Sequence, residues 1–456
     1  LVGYATEEEA VAGASADLFT AAAFQEQMED EMAKVSMAYD AFRTIQLSQH
    51  EDMIAFKEAK SELRTRLTAF TDLLNRQLFS HSGGADYDAW LASHQPFHWI
   101  AEYYQIIHGN GGFDVIIGNP PYVEYSKVKK YYKLSNFYTE DCGNLYANVY
   151  ERSCNIINEN SFIGMIVQLP ISCTDRMQHA QDLILKNAAW VLTFDDRPGK
   201  LFDNLEHIRA TIFITSKGNQ LYSTNYIRWY SETRNTLFRR IFTNEGTSIK
   251  GSIPKIGSGI SMRVWEKINK KKTLSNNICR SGHPLYYHNA PQYFTRFTDF
   301  IPYFAKNEIQ EISSHVKSVV FPTKEDLYVA TSIMNSNIFY YYNLLCSNCR
   351  DLTNREIYNF PIGIESIDVA IFSELSMLAN KLMEDYKEKS TRKSCFYKST
   401  GKVEYDEYYP KLSKPIIDEI DKVLAKHYGF TDEELDFIIN YDIKYRMGDE
   451  LNAEEE

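Results

Sequence analysis

The stretch FDVIIGNPPY, residues 113–122, decides the fold prediction for this chain. The apolar run at 115–117 is typical of a β-strand, and the sequence GNPPY follows it directly. The strand has to end there, because each proline fixes φ and lacks an N–H. We therefore expect a rigid loop at the carboxyl end of the strand. It presents the amide of Asn119, the carbonyl of Pro120 and the ring of Tyr122.

These three groups suit an exocyclic amino group on a planar base. The side-chain oxygen of Asn119 and the carbonyl oxygen of Pro120 can each accept one N–H of an –NH2 group. Both hydrogen bonds together draw the nitrogen lone pair out of conjugation with the ring and aim it at an electrophile, so positioning does most of the work. Tyr122 offers a stacking face, and Pro121 adds rigidity to the loop. The alternative is an ordinary Asn-Pro turn after a buried strand.

The charge of the chain is unevenly distributed along its 456 residues, which are enough for two or three domains. The net charge is −12 overall. Residues 221–360, however, carry 18 basic and 10 acidic side chains, whereas residues 1–100 and 361–456 are each net −9. A phosphate backbone would favour the basic segment between its acidic flanks.

Composition also bears on location. No run of about 18 apolar residues occurs, so no membrane span is expected, and the start LVGYATEEEA has neither the basic nor the apolar part of a signal peptide. The seven cysteines are odd in number and scattered, so they do not suggest a disulfide framework. We interpret the isolated Cys346-x-x-Cys349 pair as structural rather than as a zinc or redox site. We expect a cytoplasmic protein without a metal site.

Hydrophobic patterns divide the chain into four predicted regions. They are a helical segment at 1–94, an α/β catalytic domain at 95–220, a mixed α+β domain at 221–365 and a helical carboxyl-terminal region at 366–456. In the second region strands are predicted at Trp99–Tyr104, 113–118, 161–170, 190–196 and 210–216, with helices at 144–160 and 175–187. Later helices are predicted at 323–345, 367–389, 414–429 and 431–446, the last with a Thr431/Glu434 capping box. The strand–helix alternation predicts a largely parallel sheet, whose carboxyl edge binds ligands.

With these motifs in order, the chain resembles the adenine-N6 DNA methyltransferases of restriction–modification systems, and more closely the large single-chain type IIG-like group and its phage-defence relatives. The resemblance covers roughly residues 95–446. FDVIIGNPPY resembles the catalytic motif, and the order and spacing of the later segments support it. Those segments are NLYANVYERSCNII, SFIGMIVQLP, WVLTFDDRPGKLF, HIRATIFITSKG, 335–362 and 424–446. The resemblance implies a Rossmann-like methyltransferase domain that uses S-adenosylmethionine, followed by a DNA target-recognition domain.

The resemblance also implies roles for individual residues. Asn119 and Pro120, with Pro121 completing the loop, would accept the hydrogens of the target amino group on a flipped adenine, and Tyr122 would stack on that base. Phe202 falls where the family has an aromatic side chain that packs on the base, and its alternative is a core position after a strand. Glu102 and Tyr103 fall where the family has an acidic–aromatic pair that touches the cofactor adenine, although a surface Glu is as good an interpretation.

The chain departs from the family in one respect. The family binds S-adenosylmethionine with a Gly-rich loop upstream of the catalytic motif, and no glycine before Asn119 follows an apolar strand and opens a helix. The segment at 252–268, with Gly257-Ser258-Gly259, is a weaker alternative for that loop. We therefore expect the chain to be the carboxyl-terminal portion of a larger enzyme, with the Gly-rich loop on an upstream partner segment.

Three functions remain open at this stage. The first is methyl transfer to adenine N6 in double-stranded DNA. Its candidate phosphate contacts are Arg239, Arg240, Lys270–Lys272 and Arg280, and the alternative for each is a solvated surface charge. The second is a catalytically incomplete DNA-recognition fragment of such an enzyme. The third uses the same loop on a glutamine amide of a protein substrate, and the basic segment argues against it.

Overall fold

The computed structural model describes residues 15–48, 52–82, 84–131, 134, 136–203 and 207–448. The chain forms two compact units, Leu1–Gly164 and Met165–Glu456. The division falls inside the predicted catalytic domain, and the four predicted domain boundaries stay predictions.

The first unit is mainly helical. Its elements are α1 (Ser15–Gln46), α2 (Met53–Ser80), α3 (Tyr87–His94), α4 (Trp99–Glu102), β1 (Phe113–Gly118), α5 (Tyr125–Val128), α6 (Leu145–Ile156) and the first part of β2 (Ile157–Gln168). The side chain of Asp52 caps α2 by accepting from the N–H groups of Ile54 and Ala55 at 3.0 Å each. Phe70 and Leu74 of α2 are buried against Phe24, Val35, Ala101 and Tyr104, as the helical spacing of 63–74 predicts.

The predicted strand at Trp99–Tyr104 is wrong. Residues 99–102 form α4, with the N–H of Tyr103 donating to the carbonyl of Trp99 at 2.9 Å, and a single π-turn follows at Gln105–Gly109. The aromatic composition suggested a strand, but one helical turn brings the rings of Trp99 and Tyr103 into a stack at 5.7 Å. Ring packing between positions i and i+4 therefore outweighs β-propensity here.

The strand β1 has the predicted bounds and stands at the edge of its sheet, next to β2. A Cβ on Gly112 would lie 2.6 Å from the backbone carbon of Ile157, so only glycine permits this close approach at φ +131°. The predicted strand at 161–170 begins earlier, at Ile157. Val115 and Ile117 remain 55% and 83% exposed because no described strand or helix covers this side of β1.

The second unit contains the remaining strands and helices. Its first elements are the end of β2, α7 (Gln178–Leu185), β3 (Ala188–Phe194), β4 (Ala210–Ser216), β5 (Leu221–Ile227), β6 (Asn244–Glu245), α8 (Gly259–Asn269), β7 (His283–His288), β8 (Phe297–Thr298), β9 (Phe304–Lys306), β10 (Ile309–Gln310) and β11 (Val316–Phe321). The later ones are α9 (Lys324–Asn335), α10 (Asn337–Cys346), α11 (Asn354–Tyr358), α12 (Val369–Glu388), β12 (Thr391–Tyr397), β13 (Gly401–Glu407), α13 (Lys414–Tyr428), α14 (Asp432–Ile439) and α15 (Ile443–Met447).

The main sheet of this unit is mixed rather than largely parallel. From β2 its order is β2-β4-β3-β5-β6, with β4 and β3 antiparallel, β3 and β5 parallel, and β5 and β6 antiparallel. The described residues between β3 and β4 contain no helix. Without a crossover element the chain turns back beside β3, which yields an antiparallel pair.

Two smaller sheets and a helical core complete this unit. The sheets have the orders β11-β7-β8 and β10-β9-β13-β12. The predicted helix at 323–345 is interrupted at Ser336, whose hydroxyl accepts from the N–H of Phe339 at 3.1 Å and caps α10. The hairpin of β12 and β13 replaces part of the region predicted as helical. Its two strands pair antiparallel across a turn that ends at Gly401, φ +78°.

The carboxyl-terminal helices otherwise follow the prediction, although 431–446 divides into α14 and α15. The Thr431/Glu434 capping box is present, with both reciprocal hydrogen bonds. No helix in the described ranges has the length and apolarity that crossing a bilayer requires. All seven cysteines are free, including Cys346 and Cys349.

Candidate active site

The predicted catalytic loop lies directly after β1 in the first unit. The side chain of Asn119 is exposed, Pro120 is buried and Pro121 is exposed. Within the described part of the chain, the Asn119 amide forms no hydrogen bond. Its oxygen and its NH2 group are therefore available to an external partner.

The backbone behind this loop is attached to the residues that lead into α6. The N–H of Leu145 donates to the carbonyl of Val123 at 3.0 Å, and the N–H of Tyr125 donates to the carbonyl of Gly143 at 2.9 Å. The side-chain amide of Asn144 also donates to the carboxylate of Glu124 at 3.1 Å. These contacts hold the segment immediately after Tyr122 against the start of α6.

A buried carboxylate, which the sequence interpretation did not single out, organises the same region. Glu151 of α6 accepts from the N–H of Tyr138 at 2.9 Å, and from the N–H and the hydroxyl of Thr139 at 2.8 and 2.6 Å. The amide of Asn148 donates to that hydroxyl at 3.2 Å. The network fixes the loop that precedes α6. A Glu on the inward face of a predicted amphipathic helix was the signal that could have revealed it.

Tyr122 occupies a half-buried position in the loop. Its ring meets that of Tyr146 edge to face, with centroids 6.3 Å apart and an interplanar angle of 88°. Burial raises the pKa of Tyr122 to about 12, so the phenol is neutral at pH 7. A neutral ring held by an edge contact can offer a face to a planar ligand.

The pair predicted to touch the cofactor lies at the end of α4. Glu102 is exposed. Tyr103 is 40% exposed and has ring contacts with Trp99, at 5.7 Å, and Phe113, at 5.3 Å. A carboxylate and an aromatic face fit an adenosine group. The described residues of the first unit contain no Gly-rich turn between a strand and a helix, and the role of Glu102 and Tyr103 stays a prediction.

Phe202, the remaining predicted site residue, belongs to the second unit and is half-buried. Arg234 holds the two residues that precede it, because its guanidinium donates to the carbonyls of Lys200 at 2.8 Å and Leu201 at 2.7 Å. Asn119, Pro120, Pro121 and Tyr122 belong to the first unit. The role of Phe202 on the base stays a prediction.

The segment before Phe202 begins with a buried charge network at the end of β3. Arg228 donates to Asp195 at 2.7 Å and to Asp442 at 2.5 Å, and its side chain is 3% exposed. Arg209 is 3.3 Å from Asp195 and 3.2 Å from Asp196. The two guanidinium groups hold the pKa of Asp195 below its usual value, although burial acts in the opposite direction.

Several cations predicted to contact phosphate are available on the surface of the second unit. Arg239, Arg240, Lys270 and Arg280 are exposed, whereas Lys272 pairs with Glu365 at 3.1 Å. The segment considered as an alternative cofactor loop has a packing role. A Cβ on Gly257 would lie 2.2 Å from the nitrogen of Asn225, so this glycine is needed for close backbone contact with β5. Ser258 caps α8 by accepting from the N–H of Ser261 at 3.3 Å.

Comparison with solved structures gives distant matches. The chain is similar to the ATP-dependent type ISP restriction–modification enzyme LlaBIII bound to DNA, at 10% identity and a TM-score of 0.30, covering 62% of this chain and 30% of that one. It is similar to DrdV in its DNA complex at 9% identity and a TM-score of 0.33, covering 65% and 47%. It is similar to the type IIG restriction endonuclease BpuSI at 9% identity and a TM-score of 0.24, covering 72% of this chain and 54% of that one.

The chain thus spans about a third to a half of the length of these solved structures. Among curated proteins no match was found. Residues 1–199 match the model of the Eco57I restriction–modification methylase family. That range includes α1 to α7, β1 to β3 and the loop of Asn119 to Tyr122. The amino-terminal 199 residues are therefore similar to the restriction–modification methylases of the Eco57I family.

Proposed function

We propose that this chain carries the catalytic loop of an adenine-specific DNA methyltransferase of a restriction–modification or phage-defence system. The observation that carries the proposal is the Asn119 amide, exposed and without a hydrogen bond among the described residues, in a proline-stiffened loop after β1. The match of residues 1–199 to the Eco57I methylase family supports the same reaction class. The reaction is transfer of a methyl group from S-adenosylmethionine to N6 of adenine.

The loop acts by orienting the base. The oxygen of Asn119 and the carbonyl of Pro120 accept the two hydrogens of the adenine amino group, which directs the nitrogen lone pair out of the ring plane. Tyr122 stacks on the base as a neutral ring. Pro121 restricts the backbone that holds both acceptors. Since adenine N6 is inaccessible to such a loop inside a duplex, the base has to leave the stack.

Other residues have supporting roles in this proposal. Glu102 and Tyr103 contact the adenosine part of the cofactor, whereas the contact of Phe202, which lies in the second unit, with the base stays a prediction. S-adenosylmethionine, when bound, supplies an electrophilic methyl group. In this proposal the remainder of its site comes from an upstream partner segment, because the described residues of the first unit offer no Gly-rich turn for it. The protein acts in the cytoplasm.

DNA binding belongs to the basic segment at 221–360 in this proposal. Its net charge of +8 contrasts with the acidic remainder of the chain. Arg239, Arg240, Lys270 and Arg280 are exposed and can reach phosphates without breaking a described ion pair. The same segment favours DNA over a glutamine side chain of a protein as the substrate.

The test is methyl transfer from labelled S-adenosylmethionine to mixed-sequence duplex DNA, measured for the chain alone and together with its upstream partner segment. We expect Asn119→Ala to reduce labelling of adenine at least ~100-fold, the scale of losing one preorganised polar contact in an active site. DNA affinity should stay unchanged. Asn110→Ala is the matched control, since Asn110 is also exposed and precedes β1. Loss of both DNA binding and labelling in a folded Asn119→Ala sample would contradict the assigned role.

A second candidate function is a DNA-recognition fragment without activity of its own. It is favoured because the described residues of the first unit contain no Gly-rich turn between a strand and a helix. It predicts that the folded chain binds DNA but neither binds S-adenosylmethionine nor labels adenine. Asn119-dependent labelling by the chain alone would exclude it.

A further inference from the structure

The second unit has two adjoining cavities of different chemical character. One has a volume of about 510 Å³ and the other about 300 Å³. They share one wall, formed by residues 290–293 and His315. Because these lining residues are common to both, the two cavities lie side by side, and we call the pair the Tyr293 cleft after the aromatic residue of that wall.

The larger chamber is aromatic. Seven of its 21 lining residues are Tyr or Phe, against 14% aromatic residues in the whole chain. Three of them are only half-buried, so part of each side chain remains exposed. They are Tyr303, Tyr405 and Tyr409. Aromatic side chains that surround a cavity of this size provide stacking faces for a planar ring.

The aromatic chamber also contains an arginine without an acidic partner. Arg296 forms neither an ion pair nor a side-chain hydrogen bond among the described residues. Its guanidinium lies 5.3 Å from the ring centre of Tyr408. The acidic groups of the lining are already engaged, since Asp406 pairs with Arg392 and Glu407 accepts from Tyr409. Arg296 therefore has N–H donors for a ligand that brings its own acceptors.

The smaller chamber is cationic. Arg197 and Arg350 line it with side chains 45% and 63% exposed. Their nearest carboxylates are at 4.0 and 3.9 Å, which leaves both guanidinium groups weakly paired. His207, 64% exposed, lies at the same opening. Two exposed guanidinium groups beside an imidazole suit a phosphate.

We propose that the Tyr293 cleft binds a nucleotide, with its phosphate between Arg197 and Arg350 and its base among the aromatic residues, facing Arg296. The two chambers meet at Tyr293, so the ribose, which links phosphate and base, would lie beside this residue. This site lies entirely in the second unit. It is separate from the Asn119 loop and does not depend on the methyl transfer proposed above. The nucleotide is either one unpaired residue of a DNA strand or a free mononucleotide.

The test is calorimetric titration of the full chain with deoxyadenosine 5′-monophosphate, with deoxyadenosine and with a five-nucleotide single-stranded DNA. Tyr293→Ala should lower the affinity for whichever probe binds by about 5- to 100-fold, the range for losing one base-stacking contact. Tyr293→Phe should keep the affinity. Tyr397→Ala is the matched control, because Tyr397 is 50% exposed and lies outside the cleft.

A double variant tests the phosphate contacts separately from the base contacts. Replacing Arg197 and Arg350 together by Ala should lower the affinity for the monophosphate to that for deoxyadenosine and leave deoxyadenosine unaffected. Lys60→Ala, an exposed cation on α2, is the control for charge. Binding of the monophosphate would assign the site to a free nucleotide, and binding of the five-nucleotide strand alone would assign it to DNA. Either result supports the proposal.

Three results would overturn it. They are the absence of binding by all three probes, an unchanged affinity in folded Tyr293→Ala, and competition by inorganic phosphate as effective as that by the monophosphate. The titration needs neither S-adenosylmethionine nor labelling of adenine, and its variants lie in the second unit, so failure of this proposal and failure of the methyltransferase proposal are distinguishable. Photocrosslinking of a 5-iododeoxyuridine strand gives a direct check, with the adduct expected on Tyr293, Tyr303 or Tyr409.

Discussion

Replacing Glu151 by Ala should release the loop that precedes α6. The carboxylate is buried and accepts three hydrogen bonds, from the N–H of Tyr138 and from the N–H and hydroxyl of Thr139. A hydrogen bond to a charged group contributes about 1.5–3 kcal/mol. Water that enters the space left by Ala offsets part of the summed free energy of the three hydrogen bonds. Single substitutions that lower the free energy of unfolding by more than about 5 kcal/mol are exceptional. We expect a destabilisation of roughly 3–5 kcal/mol.

Hydrogen exchange measures this effect where it arises. A loss of roughly 3–5 kcal/mol corresponds to amide exchange about 160- to 5,000-fold faster at Tyr138 and Thr139. Glu151→Gln keeps one acceptor and should lose about half of that free energy. Glu140→Ala, an exposed Glu in the same loop, is the control and should change stability by less than about 0.5 kcal/mol. Wild-type protection of both amides in folded Glu151→Ala would refute the reasoning.

Two further predictions concern the second unit. Arg228→Ala leaves the carboxylates of Asp195 and Asp442 buried without their shared cation. We expect it to lower the free energy of unfolding, measured by chemical denaturation, by about 3–5 kcal/mol. The exposed Arg239→Ala is the control, and an equal loss for that variant would contradict the prediction. Burial, followed by the charge of Arg296, lowers the pKa of His288 to about 4. The unfolded chain therefore binds a proton first, and stability is lost as pH falls from about 6.5 to about 4. His288→Asn should reduce that loss in thermal unfolding, and an unchanged pH profile would exclude the assignment.

Local features of the sequence were sufficient for several elements. The strand β1 ends where Asn119 and the two prolines follow it, because a fixed φ and missing N–H groups act within one or two residues. The capping box of Thr431 and Glu434 likewise depends on residues three apart in one turn. The buried positions of α2 follow from its helical spacing. The same local reasoning identified Asn119 as a candidate site residue.

Other features required the tertiary structure. Residues 99–102 are helical because rings pack across one turn, although their composition favours a strand. The direction of β4 depends on which neighbour the returning chain meets, and the pairing of β12 with β13 depends on contact across a turn. Glu151 acquires its role from donors 12 and 13 residues away.

The Tyr293 cleft is the strongest example of this division. Its walls combine residues from 195 to 446, and no periodicity of the sequence brings Arg197, Arg296 and Arg350 to one cavity. The end of a strand, the caps of helices and the loop that presents an amide could be predicted from the sequence, since they follow from the covalent geometry of a few neighbouring residues. Which distant charges and rings share a site depends on how the whole chain packs, so it could be seen only in the folded protein.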